Sequence, residues 1–343
     1  MKKRHVGLVA AAAALALTIT GCSAGGSSDT PAENTNLSVA LSVNGALGDQ
    51  GFFDDAETGM VELKKLGHNT TTLQADINNP AQWKSNLESL STGKWDIAVA
   101  GTWQMVDPLT AIAAKFPKQK YLIFDAIVEA PNVASITYAQ NEGSYLAGVL
   151  AATAATDTAN FPLSSGSKTI GLVGGMDIPV INDFLAGFKA GAEAVDPSVN
   201  VLVSYVGAFN DSAKGYDQAM GMYNQGADVV FQVAGGSGIG VLQAAKDANK
   251  YAIGVDSNQN ALQPGHILAS MEKRIGNSIV LAVQSAQDGT LEWGKTVTYG
   301  LANDGVGLNY ADNDNIVPDS VIKIVDGFKK QVIDGSVTVP TAF

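Results

Sequence analysis

From position 37 onward the chain alternates short apolar runs with longer amphipathic stretches. Leu37–Val43 (LSVALSV) puts apolar residues at alternate positions, the period of a strand with one buried face. Ile97–Gly101, Tyr121–Phe124, Thr169–Val173, Val199–Tyr205, Val229–Val233, Ala252–Val255 and Ile267–Ser270 read as further strands. Between them the period lengthens. Phe53–Leu66 carries Ala56, Met60, Leu63 and Leu66 near one helical face. Pro179–Val195, Asp211–Gln225 and Gly238–Asn249 are also helical, and Asn141–Ala155 is a helix rich in small residues, suited to close packing. Strand and helix in strict alternation imply α/β layers built on parallel sheets. A weak echo runs through the chain. The strand, loop and helix of 37–66 recur at 169–195, with Phe52 and Gly59 answered by Phe184 and Gly187, as two similar lobes would produce.

The first residues break this pattern. Lys2, Lys3 and Arg4 precede an apolar run from Val6 to Ile19, which is shorter than the roughly 20 residues a bilayer span needs. A cationic start and a short apolar core predict a secretory signal over residues 1–21. The run ends in Ile19-Thr20-Gly21-Cys22, and Cys22 is the only cysteine of the chain, so no internal disulfide is available to it. Small residues ahead of a lone thiol predict lipidation at Cys22. Residues 22–36 are small and polar with no apolar face, the composition of a flexible tether. The expected location is the outer face of the cell membrane, through the lipid.

Charge narrows the partners. The chain carries −12, and removing the three cationic residues of the signal leaves −15, a surface that repels nucleic-acid phosphates. About 310 residues remain beyond the tether, a length that suits roughly two domains. Enzyme signatures are scarce: beyond the signal there are only His68 and His266, in unrelated contexts, with no HExxH, CxxC or G-x-S-x-G. A His/Cys metal site is not expected, no cofactor is implied, and the chain does not read as an enzyme.

In parallel α/β sheets the loops at the carboxyl ends of the strands form the binding crevice. That rule selects 44–53, 101–107, 125–129, 174–179, 207–211, 234–238, 256–260 and 270–274. Phe52, Phe53, Trp103 and Phe209 fall in these loops, where a large apolar ring must be buried or stack on something. Phenylalanines from opposite lobes can sandwich a planar ring. Asp49, Asp125 and Asp256 sit at strand ends and can accept from ligand hydroxyls or ring N–H groups, or cap helices instead. Lys273 can donate to a hydroxyl or pair with an Asp. Asp211 reads as a helix cap. AGGSGIG (234–240) fails both the dinucleotide and the Walker patterns, but Gly235, Gly236 and Gly238 let backbone amides approach a ligand.

Several longer segments carry a family resemblance: GDQGFFDDAETGM (48–60), YAQNEGSYLAGVLAA (138–152), IGLVGGMDIPVINDFLAGFKAGAEAV (170–195) and FNDSAKGYDQAMGMYNQGADVVFQVAGGSGIGVLQAAK (209–246). With IGVDSNQN (253–260), GLANDGVGL (300–308) and DGSVTVP (334–340), the chain resembles the basic membrane protein family of ABC-importer lipoproteins, which includes purine nucleoside receptors. The resemblance implies a type I periplasmic-binding fold: two doubly wound parallel-sheet lobes joined by three hinge crossovers, closing on the ligand. The expected lobes are 37–140 plus 266–297 and 141–265 plus 298–343. It further implies Phe52 and Phe209 as a stacking pair, Asp125 at the base edge with Asp107 as rival, Asp49 as a second acceptor, and Gly236, Asp256 and Lys273 at the ribose. Where family members often carry Asn after the phenylalanine, this chain has Phe53. The expected partners are a purine nucleoside, an ABC permease and its ATPase, with the binding protein a monomer. Another nucleoside-like or sugar-like solute, or a sensing role without transport, would leave the same sequence marks.

Overall fold

The computed structural model describes residues 36–343; the signal run, Cys22 and nearly all of the tether lie outside the described residues. Two six-stranded sheets organise the chain. The first begins with β1 (Ser38–Ser42), α1 (Phe52–Lys65), β2 (Asn69–Leu73), α2 (Pro80–Leu90) and β3 (Ile97–Gly101). It continues through α3 (Val106–Lys115), β4 (Lys120–Phe124) and β5 (Val133–Tyr138). Helix α4 (Gln140–Thr156) then carries the chain across to β6 (Thr169–Gly174), α5 (Pro179–Val195), β7 (Asn200–Tyr205), α6 (Ser212–Asn224) and β8 (Val229–Val233). The second sheet goes on with α7 (Gly238–Asp247), β9 (Tyr251–Asp256) and β10 (Ile267–Lys273). Helix α8 (Ile275–Gln287) crosses back to β11 (Thr296–Tyr299), and a short link returns to β12 (Val306–Asn309) and α9 (Asp319–Ile333).

The orders are β2-β1-β3-β4-β5-β11 and β7-β6-β8-β9-β10-β12, the same winding twice. All pairings are parallel except β10 with β12. The central strands have helices on both faces and are buried along their length, which is why they read as near-continuous apolar runs. The chain passes between sheets three times, as the type I fold requires: before α4, before α8 and between β11 and β12. Two expected boundaries move. Thr298 and Tyr299 pair with β5 in the first sheet, so the division at 297/298 shifts beyond β11. Residues 267–273 hydrogen-bond to β9 in the second sheet, so the return to the first lobe starts at α8 rather than at 266. Helix α1 also starts one residue earlier than the pattern predicts, taking in Phe52.

The echo between 37–66 and 169–195 has a structural counterpart, because α1 and α5 follow the equivalent strands β1 and β6. Each rests on the helix that crosses in from the other sheet. A Cβ on Gly59 of α1 would stand 2.5 Å from the carbonyl oxygen of Gly276 in α8. One on Gly187 of α5 would stand 2.0 Å from the carbonyl oxygen of Asn141 in α4. Only glycine permits backbones this close. The two crossing helices are thereby pressed into the cores they serve, and one continuous apolar cluster runs from Val39 through Leu150 to Val283.

Candidate functional site

In both sheets the strand order reverses beside the first strand, between β1 and β3 and between β6 and β8. Loops leaving the carboxyl ends there diverge and open a crevice. The two crevices face one cavity of about 690 Å³. Each of the eight loop segments selected from the sequence contributes residues to its wall, and Ala75, Asp76 and Ile77 after β2 are added to them. Asp49, Phe52, Phe53, Trp103, Asp125, Phe209, Gly236, Asp256 and Lys273 all line it. Asp107 does not: it is exposed in the first turn of α3.

Lys273, the last residue of β10, anchors the base. Its ammonium is buried and lies 2.5 Å from Asp125 Oδ1. Three rings surround it, with centroids 5.2 Å (Phe184), 5.3 Å (Tyr138) and 5.6 Å (Phe52) away, so their π-faces add to the carboxylate in holding the charge. Asp125 and Asp256 are held in left-handed backbone at φ +59° and +66°, as is Thr102 at +77°. Backbone strain of this kind persists only where neighbours over-determine it, and here it sits at the cavity ends of β3, β4 and β9. Burial pushes the Asp256 carboxyl up to about 7 against the pull of Lys273, with Asp49, Asp125 and Asp55 adding repulsion. Asp55 rises to about 6, again mainly through burial, although it accepts from the Gly276 amide at 2.8 Å at the start of α8. The Lys273 ammonium thus serves two carboxylates, Asp125 and Asp256.

Asp49 turns out to be chiefly a cap. It accepts from the amides of Gly51, Phe53 and Asp54 at 3.1, 2.9 and 3.2 Å, which satisfies the open start of α1. Burial holds its carboxyl above the usual range despite these donors. Asp211 caps α6 by accepting from the Lys214 amide, as its position predicts. Phe209 is positioned by Ser237, whose Oγ donates to Ala208 O and accepts from the Asp211 amide. The Gly235–Gly236 turn passes directly behind the Phe209 ring and backbone. On the other lobe, Phe52 meets Phe53 edge-on at 5.3 Å, and Phe53 lies so close over Gly45 that no side chain fits there. Trp103 stands at the mouth, 48% exposed. Along one edge the lobes touch: Ser257 Oγ donates to Gly51 O at 3.0 Å and Gln259 Nε2 to Gln50 O at 2.9 Å.

Sequence reasoning missed Phe184 and Gln104, which also line the cavity. Phe184 sits on a helix face and reads as core; Gln104 falls in the selected 101–107 loop, but nothing in its neighbours singles it out there. Among the described residues no cluster of His, Cys, Asp and Glu is arranged to hold a metal ion, and no helix is long and apolar enough to cross a membrane.

Comparison with known proteins agrees with this geometry. Residues 36–342 match the family model described as "ABC transporter substrate-binding protein PnrA-like". The ABC transporter nucleoside-binding protein BmpA of Lactococcus lactis subsp. cremoris is 33% identical, over 99% of this chain and all of that one. Basic membrane protein A of Borreliella afzelii is 28% identical, over 88% of this chain and 91% of its own. Among solved structures, an ABC transporter solute-binding protein from Aeropyrum pernix superposes with a TM-score of 0.79 at 26% identity, covering 89% of this chain and 94% of that one.

Proposed function

We propose, starting from the fact that this chain belongs to the PnrA-like family of ABC transporter substrate-binding proteins, that it captures purine nucleosides between its lobes for an importer. The family consists of extracytoplasmic, membrane-associated binding proteins rather than enzymes. The reading rests on one observation: phenylalanines from opposite lobes, Phe52 and Phe209, line the same cavity as a buried Asp125–Lys273 pair. Rings take up a planar base, and a charged pair beside Asp256 takes up vicinal hydroxyls, which both donate and accept. The nucleoside-binding name of the Lactococcus relative supports the ligand class. Asp125, expected at the base edge, is bonded to the residue expected at the ribose, so we assign both to the hydroxyl end.

Calorimetric titration of the protein, unfolded and refolded to strip any carried ligand, tests the reading. Saturable heat with purine nucleosides, and weaker heat with free bases or ribose, is the expected result. Saturation by a sugar alone would replace the nucleoside with a sugar-like solute. Phe209→Ala should weaken binding by about 1–3 kcal/mol through lost stacking, with the fold intact. Unchanged affinity would remove Phe209 from the site.

We also propose that Cys22 carries a lipid anchor. Cys22→Ala should then release the protein in soluble form, and equal retention at the membrane would refute the anchor.

A further inference from the structure

Four carboxylates line the cavity, Asp49, Asp76, Asp125 and Asp256, and these accept hydrogen bonds but cannot donate while ionised. Gln104 is among the side chains there that can donate. Asn44, at the end of β1, is buried. It accepts from Thr102 Oγ1 at 3.2 Å and donates through Nδ2 to Gln104 Oε1 at 2.9 Å. This pairing fixes the amide of Gln104. Its carbonyl is turned to Asn44, its Nε2 has no acceptor among the described residues, and the residue lines the cavity. The strained backbone of Thr102 sets the loop that carries it.

With the hydroxyl end assigned to Asp125, Lys273 and Asp256, the loops after β1 and β3 are left to face the ring. We infer that Gln104 is a specificity-determining residue that donates to a carbonyl on the ring edge, and that Asn44 acts as its positioning residue. This rests on the nucleoside reading above and narrows it to 6-oxopurine nucleosides over 6-aminopurine ones. A ring amino group opposite Nε2 would set donor against donor and leave both without an acceptor.

Titration of the full-length protein with inosine and with adenosine separates the possibilities. Inosine should bind roughly tenfold more tightly, the size of one well-made neutral hydrogen bond. Gln104→Glu replaces the donor with an acceptor and should abolish or reverse that preference. Asn44→Asp should do the same without touching Gln104. A carboxylate at position 44 only accepts, so the Gln104 amide turns its Nε2 inward to it and offers Oε1 to the ligand. A merely structural role for either residue would weaken both nucleosides alike. If Asn44→Asp fails to fold, Gln104→Glu alone decides. Equal affinity of the wild type for both nucleosides, or an inosine preference that survives Gln104→Glu, overturns the inference while leaving the nucleoside reading intact. Binding of neither nucleoside sinks that reading and the inference with it.

Discussion

Lys273→Met should lower stability by about 3–5 kcal/mol at pH 8, because removing one partner of a buried ion pair leaves the other charge uncompensated. Here more than one carboxylate is left behind: Asp125 loses its bonded partner, and Asp256 loses the nearby positive charge. The loss should shrink as the pH falls. Asp256 titrates at about 7 in the folded protein against an ordinary value of 3.8, so the folded state takes up a proton at a pH where the unfolded chain does not. Such a group stabilises the fold increasingly as pH drops through 7 toward 4. Without Lys273 its carboxyl rises further, and acid then relieves more of the repulsion. Urea denaturation of wild type and variant at pH 8 and pH 5 measures both effects. A loss below about 1 kcal/mol, or one equal at the two pH values, would mean that Lys273 does not hold these carboxylates together.

Gly187→Ala should cost about 3 kcal/mol, at the upper end of overpacking effects. The added methyl would stand 2.0 Å from the carbonyl oxygen of Asn141, a backbone atom that cannot rotate away, so α4 and α5 must part. Gly327→Ala is the matched control. It lies within α9, and nothing stands within 4 Å of a Cβ there. It should stabilise by about 0.5–1 kcal/mol, since alanine is the better helix former. Thermal melts of the two variants compare them directly. Equal and small shifts would show that the α4–α5 contact can yield.

The parts of the fold that could be read from sequence are those whose pattern is local. Central strands such as β3 (IAVAG) and β8 (VVFQV) are apolar throughout because both faces are covered. Strand β2 (NTTTL) escaped notice because it is a threonine-rich edge strand, largely half-exposed, and β11 (TVTY) did for the same reason. With β2 unread, the Ala75–Ile77 wall of the cavity was unread too. Strand β10 was placed in the wrong lobe because its pairing with β9 is a tertiary fact, and its sequence suits either sheet. In the cavity, the rule about carboxyl ends of strands located the loops without any knowledge of their partners. It could not show that Asp49 is occupied by α1 amides or that Asp125 bonds to Lys273, 148 positions away. Gln104 is set by Asn44, 60 positions earlier, and no spacing announces such a pair.

The triple passage between sheets also governs the order in which the molecule is assembled. The first sheet cannot gain its edge strand until residues 296–299 exist, nor can α1 gain its cover before Ile275–Gln287. A nascent chain that has emerged as far as β5 therefore holds an apolar face with nothing to close it. Neither lobe is a contiguous piece that can settle first, and contacts this distant in sequence form slowly. For a chain carrying the expected leader, that delay would be useful. Such a polypeptide would stay threadable until nearly all of it had been made, and would complete its lobes after crossing the membrane.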